Sequence, residues 1–248
     1  MLPLHQITNM TSGKIYLIPC NISDSDNAFW LPAGISETIK NTQYFLAEEL
    51  RTTRRFISSL KLGIDISGLH ISVLDKKTKA TALDKLMAPL KSGHDMGILS
   101  ESGCPGVADP GSIAVAWAHR HQIEVVPLVG PSSILLALMG SGFNGQKFCF
   151  HGYLPIPEKD RVKALIQLEE ESKRFKQTQI FIETPYRNIR MLDSILSSCK
   201  KQTLLCIARD LTGSNQLLKT MTIAQWNNAK PDLGKFPVVF LLYSGEFR

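Results

Sequence analysis

The sequence lacks the cysteine and histidine patterns that mark disulfide frameworks and zinc sites. Its five cysteines are an odd number and form no C-x-x-C pair. The one close histidine pair, His119 and His121, has an i, i+2 spacing, which puts the two rings on different sides of a helix. Reduced thiols are therefore expected, and no metal site is predicted.

The sequence also lacks a long unbroken apolar run. The most apolar long stretch, residues 123–140, is interrupted by Glu124, Pro127 and Pro131, and no charged-then-apolar leader opens the sequence. Neither a membrane span nor a secretory signal is predicted, and the protein is expected to be cytoplasmic.

The common phosphate-binding loops are missing as well. No G-x-x-x-x-G-K-[ST] occurs, and no G-x-G-x-x-G follows the first predicted strand, where IPCNISDSDN stands instead. These absences disfavour a simple ATPase or a dinucleotide enzyme. They leave room for a cofactor without phosphates, which needs shape, backbone hydrogen bonds and an apolar slot.

What the sequence does have is an ordinary globular composition with an excess of positive charge. Apolar residues make up 44% of the chain and charged residues 20%, and the formal net charge is +6. This charge favours an acidic partner such as RNA, DNA or a polycarboxylate, without choosing among them.

Short β-rich runs alternate with helical patterns, which predicts an α/β fold with right-handed crossovers. The predicted strands of the first half are residues 14–19, 44–49, 70–74, 96–100 and 123–128, and the predicted helices are 50–60, 81–93 and 112–121. The second half closes on strands joined by short turns or one short helix, which indicates a mixed sheet. The sequence therefore predicts two α/β domains, residues 1–129 with a mainly parallel sheet and residues 130–248 with a mixed sheet.

The stretch SESGCPGVADPGS, residues 100–112, follows a predicted strand of the first domain. Ligands of open α/β sheets bind beyond the carboxyl ends of the strands, so this loop lies on the productive edge. Pro105 favours an extended Cys104 whose backbone groups can face outwards, and Asp109 is expected to cap a helix that begins at Pro110. A tight turn with no ligand explains the same residue types.

Five segments in this order resemble the tetrapyrrole methylase family of S-adenosylmethionine-dependent methyltransferases. They are LSESGCPGVADPGS, VVPLVGPSSILLAL, GFNGQKFCFHGYLP, IFIETPYR and IARDLT. Within the family they look most like the branch that methylates a cytidine 2′-hydroxyl of small-subunit ribosomal RNA. The resemblance implies two α/β domains with S-adenosylmethionine in the cleft between them, and a homodimer.

The resemblance also implies which residues bind the cofactor. The proposed contacts from the first domain and the segment that follows it are Cys104, Pro105, Gly106, Val107, Ser133 and Ile134, and those from the second domain are Ile182, Glu183, Ala208 and Pro237. Simple core packing explains Ile134, Ile182 and Ala208 equally well.

The ribosomal branch carries an acidic and arginine-rich stretch after its second strand, and AEELRTTRRF, residues 47–56, resembles it. On a helix, Arg51, Arg54 and Arg55 share one face, which suits contacts with RNA phosphates. Arg187 joins them as an expected substrate contact. A solvated surface helix paired with Glu48 and Glu49 is the alternative.

This chain departs from the branch on the substrate side. A Gly-Asn-Leu-Gly-Asp type loop after the first strand is replaced by a glycine-free stretch, residues 21–27, and a His- and Asn-containing turn is replaced by residues 75–77. The branch's Ser-Pro-His-Arg and Glu-Leu-Thr-Lys segments stand here as residues 184–187 and 210–213. Methyl transfer is therefore predicted more firmly than the ribosomal substrate.

A ribose hydroxyl is a weak nucleophile that a nearby base would help, and four carboxylates follow predicted strands or lie on the loop. They are Glu48, Glu49, Asp109 and Glu183, of which Glu48 and Glu183 are the candidate bases. Three hypotheses stay open: a methyltransferase for ribosomal RNA, a methyltransferase for a tetrapyrrole or another small acidic substrate, and a non-catalytic RNA-binding relative.

Overall fold

The computed structural model describes residues 12–23 and 30–245. By their contacts these residues form two compact units. The first consists of residues 12–21 and 30–131, and the second of residues 22–23 and 132–245. Each unit holds one five-stranded sheet, and the predicted fold class is confirmed in both: the first sheet is parallel and the second is mixed.

The first unit alternates short strands with helices. Its strands are β1 (Ile15–Ile18), β2 (Tyr44–Ala47), β3 (His70–Val73), β4 (Met96–Leu99) and β5 (Val125–Pro127), and its helices are α1 (Ala33–Lys40), α2 (Leu50–Ser59), α3 (Ala80–Leu86), α4 (Ala88–Lys91) and α5 (Gly111–Arg120). The sheet order is β3-β2-β4-β1-β5, with every neighbouring pair parallel. Parallel sheets are buried on both faces, and the strands here are almost wholly apolar for that reason.

Two apolar clusters cover the two faces of this sheet. Trp117 and Ala118 of α5 pack with Ile98 on one face, while Ile39 of α1 and Ile57 of α2 pack on the other. Successive side chains of a strand point to opposite faces, so β1, β2 and β4 each supply both clusters. The first unit is thus a three-layer sandwich of helices, sheet and helices.

The second unit has strands β6 (Phe148–Tyr153), β7 (Thr178–Glu183), β8 (Leu204–Arg209), β9 (Leu217–Thr222) and β10 (Val238–Tyr243) and helices α6 (Ser133–Ser141), α7 (Glu158–Phe175), α8 (Asn188–Ser198) and α9 (Ile223–Asn228). The sheet order is β6-β7-β10-β8-β9. The pair β6-β7 is parallel, and β10 runs antiparallel to both of its neighbours. Helices α7, α8 and α9 contribute to the cluster on one face, and α6 contributes to the cluster on the other.

The structure differs from the sequence reading in two helices. Helix α1 was not predicted, although Ile35 and Ile39 form its buried stripe at an i, i+4 spacing. The single helix expected over residues 81–93 is two short helices that meet at Met87. Pro89 has no backbone N–H to continue the first helix, so the hydrogen-bond ladder is interrupted there.

Among the described residues, no helix is both long and apolar enough to cross a bilayer.

Candidate functional site

The parallel order of the first sheet creates a switch point between β1 and β4. The chain leaves β1 toward β2 on one side of the sheet and leaves β4 toward β5 on the other, so the loops after β1 and β4 diverge. Ligands of open α/β sheets bind at such a crevice. The two loops are joined there by a bridge in which the Cys20 N–H donates to the Gly103 carbonyl at 2.9 Å and the Gly103 N–H donates back at 3.2 Å.

Residues Cys104 to Val107 form a tight turn at this crevice. The Val107 N–H donates to the Cys104 carbonyl at 3.3 Å, Pro105 follows Cys104, and Gly106 has a φ of +83°. Proline second and a positive-φ glycine third are the features of a type II turn. The Cys104 carbonyl, which the sequence placed outwards, is therefore used within the turn, and Gly106 is required by backbone conformation alone.

Asp109 holds this turn against the start of α5. Its Oδ1 accepts from the Gly106 N–H at 2.8 Å and from the Gly111 N–H at 2.7 Å. The helix begins at Gly111, one residue later than predicted, with Pro110 at the N-cap position. A side chain at Gly111 would come within 2.7 Å of Asp109 Oδ1, so this glycine permits the contact.

Neither cysteine of the crevice is available as a nucleophile. Burial raises the pKa of the Cys20 thiol to about 12, and burial also raises the pKa of Cys104. Thiolates rather than thiols attack electrophiles, so both residues act as small apolar groups near neutral pH.

Glu48 follows β2 at the same edge of the sheet and is half-buried. Burial is the main cause of its raised pKa, and repulsion from Glu101 and Asp109 adds to it, while Lys76 opposes the shift. No salt bridge in the described part of the chain involves Glu48. Glu48 is thus a carboxylate with a raised pKa and no ion-pair partner among the described residues. The sequence analysis did not single out Glu101, although it lies within the loop of residues 100–112.

Glu49 has a structural task in the next helix. Its carboxylate accepts from the backbone N–H groups of Arg51 and Thr52 and from the Thr52 hydroxyl, at 3.0, 2.6 and 2.8 Å. These bonds make Glu49 the N-cap of α2 and lower its pKa. Its carboxylate is thus bound to the start of the helix.

Arg51, Arg54 and Arg55 are exposed on α2, opposite buried Thr53 and Ile57. None of the three makes a salt bridge with a described residue. The basic face of α2, defined by these three arginines, is open to an anionic partner.

In the second unit, three of the expected cofactor contacts pack together. Ile182 of β7 and Ala208 of β8 both pair with Val239 of β10, so they lie side by side on one face of the sheet. Ile134 of α6 packs against the same cluster, partly buried like Ile182, whereas Ala208 is fully buried. Pro237 is exposed at the same edge and Ser133 is half-buried at the start of α6.

Glu183 lies at this edge too, but strand alternation puts its side chain on the opposite face from Ile182. The carboxylate is buried and accepts from Arg187 Nη2 at 2.6 Å, from Arg187 Nε at 2.8 Å and from the Thr184 N–H at 2.6 Å. Every one of these partners is local. Glu183 and Arg187 therefore stabilise each other and the segment after β7.

The loop after β8 is strained. Asp210 and Thr212 have φ angles of +48° and +69°, and a β-branched residue in this region is a true outlier. Hydrogen bonds hold the conformation: Thr212 Oγ1 lies 2.8 Å from Ser23 Oγ, and the Thr212 N–H donates to Gln216 Oε1. Such strain concentrates at functional sites. Ser23 belongs to the glycine-free first loop, of which residues 24–27 lie outside the described residues.

No group of three or more potential metal-ligating side chains occurs among the residues the structure describes.

In comparisons with known proteins, the sequence relatives described here all carry the same protein name. No protein-family model matches the chain. Ribosomal RNA small subunit methyltransferase I of Escherichia coli O157:H7 is 28% identical over 208 residues, which cover 84% of this chain and 68% of that protein. The proteins of the same name from Synechocystis and Mesorhizobium japonicum are 28% and 30% identical over 81% and 75% of this chain, and over 67% and 60% of their own lengths.

Solved structures share the whole architecture at lower identity. The methyltransferase CobJ covers 94% of both chains with a TM-score of 0.62 and 17% identity. Uroporphyrin-III C-methyltransferase from Thermus thermophilus, crystallised with S-adenosyl homocysteine, covers 93% of this chain and 97% of its own with a TM-score of 0.56 and 16% identity. The resemblance predicted from the sequence is thereby confirmed: this chain is similar over most of its length to proteins named ribosomal RNA small subunit methyltransferase I, and it shares the fold of these solved methyltransferases.

Proposed function

We propose that this protein is an S-adenosylmethionine-dependent methyltransferase that methylates a ribose 2′-hydroxyl of small-subunit ribosomal RNA. The observation that carries the proposal is the 26–30% identity, over most of the chain, to proteins named ribosomal RNA small subunit methyltransferase I. The protein works in the cytoplasm and as a homodimer in this proposal, in keeping with the family resemblance.

The crevice of the first unit suits S-adenosylmethionine by its chemistry. Gly106 has no side chain to hold a ligand away, and Val107 is an exposed apolar residue. Both can contact a ligand that carries no phosphate group. The carboxylate of Glu48 is repelled by those of Glu101 and Asp109 at this edge, and the three negative charges favour a ligand that carries positive charge. We assign the turn from Cys104 to Val107 to the methionine end of the cofactor, with Pro105 buried beneath it.

In the second unit, the contacts to the cofactor would be Ser133, Ile134, Ile182, Ala208 and Pro237. Ile134 and Ile182 are apolar and partly open, as a binding surface for an apolar group must be. Glu183 contributes its backbone and its support of the segment after β7, because its carboxylate is bound to Arg187.

When bound, S-adenosylmethionine supplies an electrophilic methyl group. The protein's task is to hold the ribose hydroxyl in line with that group and to accept its proton. Glu48 is the proposed base, because a raised pKa and the lack of a cation partner keep its carboxylate able to take a proton.

The basic face of α2 is the proposed contact with RNA phosphates. We expect Arg54→Ala with Arg55→Ala to weaken RNA binding and to reduce the slope of log affinity against log salt by about 1.4, the value for two lost contacts on a single strand. Cofactor affinity stays unchanged. Lys200→Ala with Lys201→Ala, which removes two exposed charges from the second unit, is the matched control. An unchanged salt slope in the arginine variant would rule out this RNA contact.

The proposed function is tested with methyl-labelled cofactor and three acceptors: 30S subunits, deproteinised ribosomal RNA and a uroporphyrin. Methylation of a 2′-hydroxyl makes the adjoining phosphodiester resistant to alkali, so label in alkali-resistant dinucleotides supports the proposal. Label in the tetrapyrrole alone moves the function to that substrate. If calorimetry detects no binding of S-adenosylmethionine, both methyltransferase hypotheses fail and only that of a non-catalytic RNA-binding protein remains.

A further inference from the structure

A polar pocket lies in the second unit, among helices α7, α8 and α9, and takes no part in the proposed methyl transfer. It has a volume of about 570 Å³, which is in the range of small-ligand sites. Its charged lining residues are Glu158, Arg161, Arg190, Asp193 and Lys230, and its neutral polar ones are Ser194, Ser197 and Asn227. Positive charges outnumber negative ones by three to two.

The central feature of this pocket is a buried arginine. Arg161 is only 8% exposed. Its Nε donates to Ser194 Oγ at 3.0 Å and its Nη1 donates to the Ile156 carbonyl at 2.6 Å. A guanidinium has five N–H donors, and Nη2 has no partner among the residues that the structure describes. These two bonds hold the guanidinium in place at the pocket wall and leave N–H donors, those of Nη2 among them, for a ligand in the pocket.

The charge of Arg161 is also uncompensated. No salt bridge joins it to any carboxylate in residues 12–23 or 30–245. A buried charge is costly unless an opposite charge or a set of hydrogen bonds stabilises it. An arginine that is buried, oriented by neutral partners and open to a cavity has the properties of an anion receptor rather than of a structural ion pair.

Helix α8 completes the receptor on one side. Arg190, Ser194 and Ser197 follow one another at i, i+4 and i+7, so they share the face of α8 that lines the pocket. Arg190 is exposed and makes no salt bridge with a described residue. Lys230 is paired with Asp193 at the rim. Two arginines that form no ion pair within the described part of the chain therefore face one polar cavity.

We infer that the pocket among α7, α8 and α9 binds a phosphate group. A planar guanidinium fork matches the oxygens of a tetrahedral oxyanion in a bidentate manner, and the second arginine adds charge for a dianion. The phosphate belongs either to a small free ligand, such as a nucleoside monophosphate, or to an RNA backbone. The volume accommodates a nucleotide as well as the phosphate itself.

The test is a titration of the full chain with inorganic phosphate, with AMP and with a ten-nucleotide single-stranded RNA, followed by calorimetry or phosphorus NMR. Arg161→Met and Arg190→Ala are each expected to weaken phosphate binding about tenfold or more, the loss that follows removal of a charge-assisted hydrogen bond. Arg174→Ala is the matched control, because Arg174 is an exposed arginine near the far end of the same helix. It leaves phosphate binding unchanged.

Asp193→Asn makes the test independent of any loss of folding. It removes a carboxylate from the rim and releases Lys230 from its salt bridge, so phosphate binding is expected to strengthen several-fold. A purely structural role for Arg161 predicts no such gain. Arg190 and Asp193 are both exposed, so their variants stay informative even where Arg161→Met does not fold.

The titrations with AMP and with RNA distinguish the two sources of the phosphate, a free ligand and an RNA backbone. AMP binding that depends on Arg161, with RNA affinity unchanged, identifies a free ligand. RNA affinity that falls in Arg161→Met and is competed by phosphate identifies a backbone contact. Cofactor binding is measured alongside and stays at the wild-type value, so the outcome is distinct from that of the proposed methyl transfer. Equal phosphate affinity in the wild type, Arg161→Met and Arg190→Ala overturns the inference.

Discussion

Glu48 of the first unit directly follows the buried strand β2, and Glu183 of the second unit is the last residue of the buried strand β7. The two carboxylates nevertheless have opposite electrostatic surroundings. Glu183 is buried and holds Arg187 and the Thr184 N–H. Glu48 is half-buried, faces other carboxylates and has a raised pKa. The sequence offered both as candidate bases on equal terms.

The comparison shows how a fold divides similar side chains between stability and chemistry. The carboxylate of Glu183 is occupied by Arg187 and by the Thr184 N–H, so its part is structural. A carboxylate among like charges gains from accepting a proton. We therefore propose Glu48 rather than Glu183 as the group that takes a proton from the substrate.

The largest expected effect is on methyl transfer by Glu48→Gln. Removal of a general base lowers the rate by about 100-fold or more. The variant is expected to bind cofactor as the wild type does, because the substitution keeps the shape of the side chain. Single-turnover rates with labelled cofactor measure the loss. Glu49→Gln is the control, since Glu49 acts as a helix cap, and it is expected to change thermal stability slightly and the rate little.

The next effect is on stability. Glu183→Leu leaves the Arg187 guanidinium, three-quarters buried, without its carboxylate. Loss of one partner of a buried pair lowers the free energy of unfolding by about 3 kcal/mol. Urea denaturation measures this, and the double variant with Arg187→Met is expected to recover part of the loss. A Glu183→Leu protein of wild-type stability would contradict the structural role, and a rate loss without destabilisation would reopen Glu183 as a base.

A smaller effect, on cofactor affinity, distinguishes the turn from Cys104 to Val107 from a turn outside the crevice. Gly106→Ala and Gly63→Ala both force an alanine into a positive φ, +83° and +72°, and each costs about 1 kcal/mol of stability. Only Gly106 lies at the switch point. We therefore expect Gly106→Ala alone to weaken cofactor binding, by about fivefold if the same strain must be overcome on binding. Equal cofactor affinity in the two variants would move the site away from this turn.

The smallest effect is a shift of the pH profile. In the proposed mechanism the ionised form of Glu48 is the base, so the rate is expected to rise as pH increases through the raised pKa of this group. Repulsion from Glu101 contributes to that raised pKa, and Glu101→Gln removes it. The acid limb of the profile is then expected to move to lower pH by a fraction of a unit, while the plateau rate stays the same. A limb that stays in place would separate Glu101 from the base.

Much of the architecture was predictable from local patterns. The strands of the first unit, from Ile15 to Pro127, all begin within a few residues of their predicted positions, because buried parallel strands are short apolar runs that stand out from their surroundings. Helix α1 was missed, since its pattern rests on two isoleucines among small and polar residues. The break at Met87 was missed because the apolar spacing continues across Pro89.

The site was predictable only in part. Strand ends placed Glu48 and the turn from Cys104 to Val107 at one edge, because parallel strands share their carboxyl edge. The role of Glu49 depends on which backbone N–H groups its carboxylate reaches, and that follows from the local geometry at the start of α2. The assignment of cofactor contacts remains a prediction from the family resemblance.

The sequence by itself determined the alternation of strands and helices, the two sheets, the family resemblance and the positions of the charged residues along the chain. These properties follow from local periodicity and composition. Only the tertiary structure decided which charges are paired: it bound Glu183 to Arg187, set Glu48 among other carboxylates and left Arg161 buried with no salt bridge to any carboxylate that the structure describes. The physical reason is that the ionisation and pairing of a side chain depend on neighbours distant in sequence and on burial, which only folding brings about.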